Sequence, residues 1–183
     1  MSYADTIQSM ILILVFLLFW LIQRCYMASN IYIKITGKNQ GVISSGCSTY
    51  DSIGNKYQLN HADEILVVSL SFDISRSQNL SHHPVSITKY IDKSTPLLMV
   101  AITNNEIINC DISYFRTSSN GSQEKYMEIK LTNASIINYS QVNANTITEN
   151  ETLPSETILL SYESITCNHL IAGTSGYSIA NNF

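Results

Sequence analysis

The first clear pattern along the chain lies at residues 31–35, where three isoleucines alternate with Tyr32 and Lys34. A period of two is typical of a β-strand with one buried face. Alternation or short apolar runs recur at 64–75, 84–91, 107–117, 123–142 and 156–171, and we predict a strand at each. Residues 172–183 then form a small, polar tail. Many strands at short spacing favour an antiparallel β-barrel or sandwich.

One helix is predicted after residue 93. Ser94 or Thr95 can act as its N-cap, and Pro96 suits the first turn because its missing N–H would have no partner there. Apolar side chains follow at i, i+4 spacing, and Asn104-Asn105 can supply the left-handed residue that ends a helix. The predicted fold is therefore all-β and mainly antiparallel, a single β-barrel with one short flanking α-helix.

Two polar stretches are predicted as loops. The first, "STYDSIGNKYQLNHADE" at 48–64, has no period, and a loop of that length in a compact domain usually has a function. The second is "RSQNLSHHP" at 76–84. No internal repeat or linker divides the chain, which indicates a single domain.

The N-terminal segment is apolar without interruption from Met10 to Ile22. Even when extended to Ile7 it spans roughly 24 Å as a helix, short of the roughly 30 Å hydrocarbon core of a bilayer. No basic residue precedes the run and no small-residue cleavage site follows it, unlike in a secretory signal. A weak membrane segment, a cleaved signal and a start-site artefact upstream of Met27 stay open, and the last is preferred. We predict a leader over residues 1–26 and one domain over 27–183, with membrane association only if the leader is retained.

Composition argues against one class of function. The net charge is −4, so the chain is a poor ligand for a phosphate backbone, and no nucleic-acid partner is expected. Ser, Thr and Asn make up about 30% of the chain against 13% charged residues, a surface with weak repulsion between copies. Isolated thiols are expected rather than a disulfide framework, since the four cysteines are far apart in sequence. They are Cys25, Cys47, Cys110 and Cys167.

Nothing in the sequence demands catalysis. His82 and His83 are adjacent, so in an extended chain their rings point to opposite faces, which is poor geometry for a metal site. We interpret them as part of a polar loop. Glu149, Glu151 and Glu156 surround a proline turn and are expected to be solvated. No catalytic residue, metal site or cofactor is predicted.

Five segments taken in order resemble a known family. They are "STYDSIGNKYQ", "ISRSQNLSHHPVSITKYIDKSTPLL", "AITNNE", "SNGSQEKYMEIKLTNASI" and "YESITCNHLIAGTSGYS". Their order and spacing are similar to those of the Hcp (haemolysin-coregulated protein) family, the ring-forming tube subunits of bacterial type VI secretion systems. The resemblance covers Met27 to Ser178, and family members ordinarily begin where "MASNIYIKITGK" stands here.

The resemblance implies a β-barrel with one flanking helix and no enzymatic activity. It implies a homo-hexameric ring that stacks into a tube within a sheath, leaves the cell with a VgrG-like spike protein, and carries effector proteins in its lumen. The subunit would be cytoplasmic before firing and extracellular afterwards. The first polar loop is the candidate for contacts to a neighbouring ring, an ordered surface loop being the alternative. Its candidate residues are Ser48, Tyr50, Asp51, Asn55, Lys56, Tyr57 and Gln58.

Two departures from the family pattern bear on assembly. Cys167 stands where a tryptophan is expected, which would leave a cavity costing on the order of 3–5 kcal/mol if the site is buried. The tail ends in "SIANNF" instead of an acidic, tryptophan-bearing sequence. Two other interpretations stay open, a membrane-tethered paralogue and a small-ligand-binding β-barrel.

Overall fold

The computed structural model describes residues 29–145, 147–149 and 153–180, and the predicted leader at 1–26 lies outside them. The strands within these ranges are β1 (Asn30–Gly37), β2 (Gly41–Val42), β3 (Ile65–Ser71), β4 (Ile74–Arg76), β5 (Leu80–His82), β6 (Val85–Tyr90), β7 (Ile108–Thr117), β8 (Gln123–Val142), β9 (Ser155–Ser161), β10 (Ser164–His169) and β11 (Thr174–Ile179). The helices are the single-turn α1 (Tyr50–Ile53) and α2 (Thr95–Thr103).

Six strands close into a ring. β1 pairs with β3 on one edge and with β7 on the other. The pairing continues from β7 to β8 on one side, and from β3 through β6 to β9 on the other. β8 also pairs with β9, which completes the circuit. Every pairing between described strands is antiparallel, so the prediction of a mainly antiparallel, barrel-like fold with few helical residues is confirmed.

β8 is twenty residues long and pairs with two strands in turn along one edge. Its first half, as far as Thr132, pairs with β10, and its second half, from Ser135, pairs with β9. Between the halves Asn133 has φ 49°, a left-handed conformation that non-glycine residues seldom adopt. β10 and β11 therefore extend the sheet beside the ring, with β11 at the outer edge.

The core is one continuous cluster of apolar side chains from the ring strands and α2. On β1 the alternation holds as predicted, because Ile33 and Ile35 are fully buried while Lys34 is exposed. Leu98 and Ala101 attach α2 to the same cluster. Burying each large aliphatic side chain contributes roughly 1.5–3 kcal/mol, so this cluster is the main source of stability.

The predicted helix is confirmed with its boundaries. α2 begins at Thr95, next to Ser94 at the N-cap and with Pro96 in its first turn. It ends before Asn104, and Asn105 has φ 47°, the left-handed residue that the sequence indicated. Neither helix in the described part of the chain has the length and apolar character needed to span a bilayer.

The prediction of one last long strand at 156–171 is wrong. The segment divides at Tyr162-Glu163 into β9 and β10, since its partner β8 turns at the same level, at Asn133. The polar tail then contributes β11, which pairs with β10 along its whole length. Gly173, with φ 67°, makes the turn between them.

The prediction of a loop at 76–84 is also only partly right. β5 lies inside this segment and pairs with β4 as a short hairpin. The backbone hydrogen bonds of an extended segment are satisfied by such a neighbour whatever the polarity of its side chains, so the polar sequence concealed a strand.

Candidate assembly surface

The polar loop after β2 is ordered into short helical turns. α1 is followed by a 3₁₀ turn at Gly54–Lys56 and another at Leu59–His61. Gly54, with φ 60°, ends α1 and reverses the chain, and other residues rarely adopt this conformation. The segment is therefore a shaped surface element, which agrees with the expectation that a loop of this length has a function.

Ser48 joins the two ends of this loop. Its backbone N–H donates to the carbonyl oxygen of Ala62 at 3.1 Å, and its hydroxyl donates to the carbonyl oxygen of Glu64 at 2.6 Å. The side chain is buried, so Ser48 anchors the loop and is removed from the set of candidate contacts to another subunit.

His61 fixes the far end of the loop onto the outer face of β1 and β7. Its ring stacks on Tyr32 with centroids 3.8 Å apart and meets Phe115 edge-on at 4.7 Å. Its Nδ1 lies 2.6 Å from Glu64 Oε2. Burial, and then the Glu64 charge, raise the pKa of Tyr32 to about 12, so this phenol stays neutral at physiological pH.

Between these anchors the loop presents aromatic side chains to solvent. Tyr50 and Tyr57 are 66% and 48% exposed, and their rings meet edge-on at 5.9 Å. The ammonium group of Lys56 lies 5.0 Å from the centroid of the Tyr90 ring, within the range of a cation–π contact. Leu59, 85% exposed, continues the patch and was not among the predicted residues.

The structure brings most of the predicted contact residues together on one surface. Gln58 is half-buried beneath it. Those with exposed side chains are Tyr50, Asp51, Asn55, Lys56 and Tyr57. We call these five together with Leu59 the loop patch. An ordered group of large apolar side chains in solvent is typical of a surface that another molecule covers.

A buried charge cluster lies where β6 leads into α2. Lys89 and Glu156 are Cα partners on β6 and β9, and both side chains are 0% exposed. Lys89 Nζ lies 2.6 Å from Glu156 Oε1, as an ion pair without hydrogen-bond alignment, and 2.9 Å from Asp92 Oδ1. Tyr139 and Thr95 donate to Glu156 Oε2 at 2.7 and 3.0 Å. Burial, and then the hydrogen bond to Glu156, raise the pKa of Tyr139.

The expectation that Glu156 is solvated is therefore wrong. Strand β9 begins one residue before it, which places Glu156 on the inward face with Ile158 and Leu160. Lys89 follows Val85 and Ile87 on the inward face of β6 in the same manner. The i, i+2 pattern in each strand is the signal that could have identified this pair.

Glu106 forms a second buried carboxylate site, at the other end of α2. Its Oε1 accepts from the backbone N–H groups of Asn39 and Gln40 at 2.6 and 2.8 Å, and its Oε2 accepts from the Gln40 side chain at 2.7 Å. Burial alone would raise the pKa of Glu106, but these hydrogen bonds prevail and lower it. Gly37 leaves room for the carboxylate, because a Cβ there would overlap Oε1.

The two adjacent histidines point to opposite sides, as their extended backbone predicts. His83 is exposed and bonded to Ser75 at 3.0 Å, as expected for a polar loop. His82 instead ends β5 and is buried between Tyr162 and Ser178, whose hydroxyls lie 3.0 and 2.9 Å from its ring nitrogens. Among the described residues no group of three or more His, Cys, Asp or Glu could hold a metal ion.

The three described cysteines, Cys47, Cys110 and Cys167, are free thiols, and Cys25 lies outside the described residues. Burial, and then the Asp92 charge, raise the pKa of Cys47 to about 11. Cys167 is only half-buried, between Ile129 and Gly176 in the neighbouring strands. The condition for a costly cavity at this position, a fully buried site, is not met in the single subunit.

Comparisons with known proteins agree on one family. Residues 32–169 match the family model described as "Type VI secretion system effector, Hcp". The uncharacterized protein YhhZ of Escherichia coli K12 is 42% identical over 149 residues, which are 81% of this chain and only 37% of YhhZ. The Major exported protein of Pseudomonas aeruginosa is 34% identical over 162 residues, 82% of this chain and 94% of that protein.

Solved structures give the same result. A crystal structure of an Hcp protein matches with TM-score 0.81 at 33% identity, and the secreted protein Hcp3 of Pseudomonas aeruginosa with 0.77 at 34%. Each match covers 85% of this chain and 100% of the other. Since the family model covers most of the chain, and the fold and two relatives agree with it, the chain belongs to the Hcp family of type VI secretion proteins, a family of structural tube proteins and not of enzymes.

Proposed function

We propose that this chain is a tube subunit that forms homo-hexameric rings, and that the loop patch mediates the stacking of one ring on the next. The single observation that carries the proposal is the construction of the loop, which is anchored at Ser48 and His61 and presents Tyr50, Tyr57 and Leu59 to solvent. Covering this patch would bury apolar surface at roughly 25 cal/mol per Å².

The rest of the proposed role follows from membership of the family. The assembled tube is enclosed by sheath proteins, ends in a VgrG-like spike and holds effector proteins in its lumen. The subunit is cytoplasmic until firing and is then exported, which is consistent with the name of the Major exported protein. The barrel interior holds one continuous cluster of buried side chains, which disfavours the alternative of a small-ligand-binding barrel.

The test replaces both loop tyrosines, Tyr50→Ser with Tyr57→Ser. Electron microscopy and sedimentation velocity are expected to show rings of normal size that no longer stack. The matched control is Met99→Ser, which removes a similarly exposed apolar side chain from α2 and is expected to leave stacking unchanged. If the double variant stacks like the unmodified protein, the loop patch does not have this role.

A further inference from the structure

A second open concavity, of about 700 Å³, lies at the C-terminal end of β1. Its floor includes Thr36 and Gly37, and its rim carries Lys38, Asn109 and Glu163. We call it the rim groove. Ile107, 37% exposed, supplies an apolar wall, so the groove combines one charge of each sign with apolar surface.

The rim groove is held in shape by hydrogen bonds across its walls. The backbone N–H of Asn133, at the left-handed corner of β8, donates to Asn109 Oδ1 at 3.0 Å. Its side-chain amide donates to Glu163 Oε2 at 2.5 Å and so fixes the carboxylate at the rim. On the other side, the N–H of Lys38 donates to the carbonyl oxygen of Ile107 at 2.9 Å. The groove is therefore preformed.

The loop patch and the rim groove lie at opposite ends of β1. Lys56 and Tyr57 line a smaller concavity together with Asn30, the first residue of the strand. Thr36 and Gly37 are the last two residues of the same strand and line the rim groove. At about 3.3 Å per residue, the two surfaces are roughly 20 Å apart along the strand. A contact between opposite ends of two copies is heterologous and can propagate along an axis.

The two surfaces are also complementary in charge and polarity. The loop patch exposes one cation, Lys56, and one anion, Asp51. The rim groove offers Glu163 and Lys38 as opposite partners. The exposed tyrosines of the loop patch need cover, and Ile107 supplies apolar surface to receive them.

We propose that the rim groove is the receptor for the loop patch of a second copy of this chain in the adjacent ring. The inference rests on the proposed function, because it names the surface that the stacking loop contacts. Lys56 of one copy pairs with Glu163 of the other, Asp51 pairs with Lys38, and a loop tyrosine enters the groove against Ile107.

The experiment is a charge exchange. Lys56→Glu and Glu163→Lys are each expected to raise the subunit concentration needed for ring stacking about tenfold, since like charges then face each other across the interface. The double variant restores the opposite pair and is expected to stack within about twofold of the unmodified protein. Glu149→Lys, the same charge change at an exposed loop residue, is the control and leaves stacking unchanged.

Glu163 also bonds Asn133, so a second exchange guards against a purely local disturbance. Asp51→Lys combined with Lys38→Glu leaves that hydrogen bond intact and is expected to show the same loss and rescue. Thermal unfolding of every variant verifies that the subunit stays folded. Rescue in either exchange supports the inference.

The outcomes separate the two proposals. If Lys56→Glu and the loop tyrosine variants weaken stacking, but Glu163→Lys and Lys38→Glu do not and neither double variant rescues, the rim groove is not the receptor and the stacking role of the loop stands. If the loop tyrosine variants leave stacking unchanged, the proposed function fails and the receptor assignment fails with it. A groove occupied by another protein would give stacking insensitive to Glu163 and Lys38, which also overturns the inference.

Discussion

The charge cluster at Lys89 and the loop patch place side chains against the usual preference in opposite directions. At the cluster, charged groups are fully enclosed, and each is matched by an ion pair or hydrogen bonds. At the loop patch, aromatic groups are in solvent on a backbone that is itself well anchored. A buried charge is tolerated only with its partner, whereas an exposed aromatic group is stable in the single subunit and gains from a second one. The first arrangement therefore serves the fold and the second serves assembly.

Removing the cation of the cluster is expected to have the largest effect on stability. Lys89→Met leaves Glu156 and Asp92 buried without a positive partner and should lower the free energy of unfolding by about 3–5 kcal/mol. Urea denaturation at fixed protein concentration measures the change, since assembly adds a concentration-dependent term.

The matched control for that variant is Lys130→Met. Lys130 is 48% exposed and lies 3.1 Å from Glu128 and 3.9 Å from Asp111, so its loss should cost less than about 1 kcal/mol. Equal effects of the two variants would contradict the distinction between an enclosed and a surface charge.

A smaller effect is expected at Glu106, which is buried among hydrogen-bond donors and has no cation as partner. Glu106→Gln should cost about 1–3 kcal/mol at pH 7, since its amide cannot accept all three hydrogen bonds. The folded pKa of Glu106 is lowered, so the contribution of the carboxylate is present above the unfolded pKa and lost as the pH falls through the folded pKa. The difference between the unmodified protein and the variant should therefore shrink below pH 4.5.

Chemical denaturation between pH 7 and pH 3 tests this dependence, with Glu124→Gln as the control. Glu124 is paired with Arg116 at the surface and should change stability by less than about 1 kcal/mol. A Glu106 effect of constant size across this pH range would show that the carboxylate charge is not what holds the β1–β2 turn.

The smallest effect on stability is expected in the loop patch. Tyr57→Ser should change the free energy of unfolding by less than about 1 kcal/mol, because the ring loses mainly its edge contact with Tyr50. Thermal unfolding of the variant and the unmodified protein measures this. A loss as large as that of Lys89→Met would mean that the loop belongs to the core and would remove the contrast between the two regions.

How far the sequence predicts this molecule depends on whether the signal is local. The boundaries of β8 and of α2 follow from alternation and from capping residues, and the structure confirms both. The break between β9 and β10 does not, because it results from the turn of a different strand at Asn133. β11 was missed because an edge strand of small polar residues has no apolar face to reveal it.

The candidate site shows the same limit. Composition and length identified the loop, but not which of its residues are exposed, and Ser48 is buried because residues 62 and 64 return beside it. Lys89 and Glu156 have the period of inward-facing strand residues, yet their polarity concealed it until the register of β6 and β9 made them partners. The rim groove brings together residues from four separate segments, which no local pattern could have joined.

The central position of β1 has a consequence for synthesis of the chain. On one edge it pairs with β3 within about 35 residues, but its other partner β7 follows much later, as in the pair Ile31 and Tyr114. At ribosomal rates of about 5–20 residues per second, β1 waits on the order of 4–16 s before that edge is filled. During this interval a largely apolar strand has an unpaired edge beside other nascent copies. Such contacts compete with folding, and a chaperone that binds extended apolar segments would act on this subunit before the barrel closes.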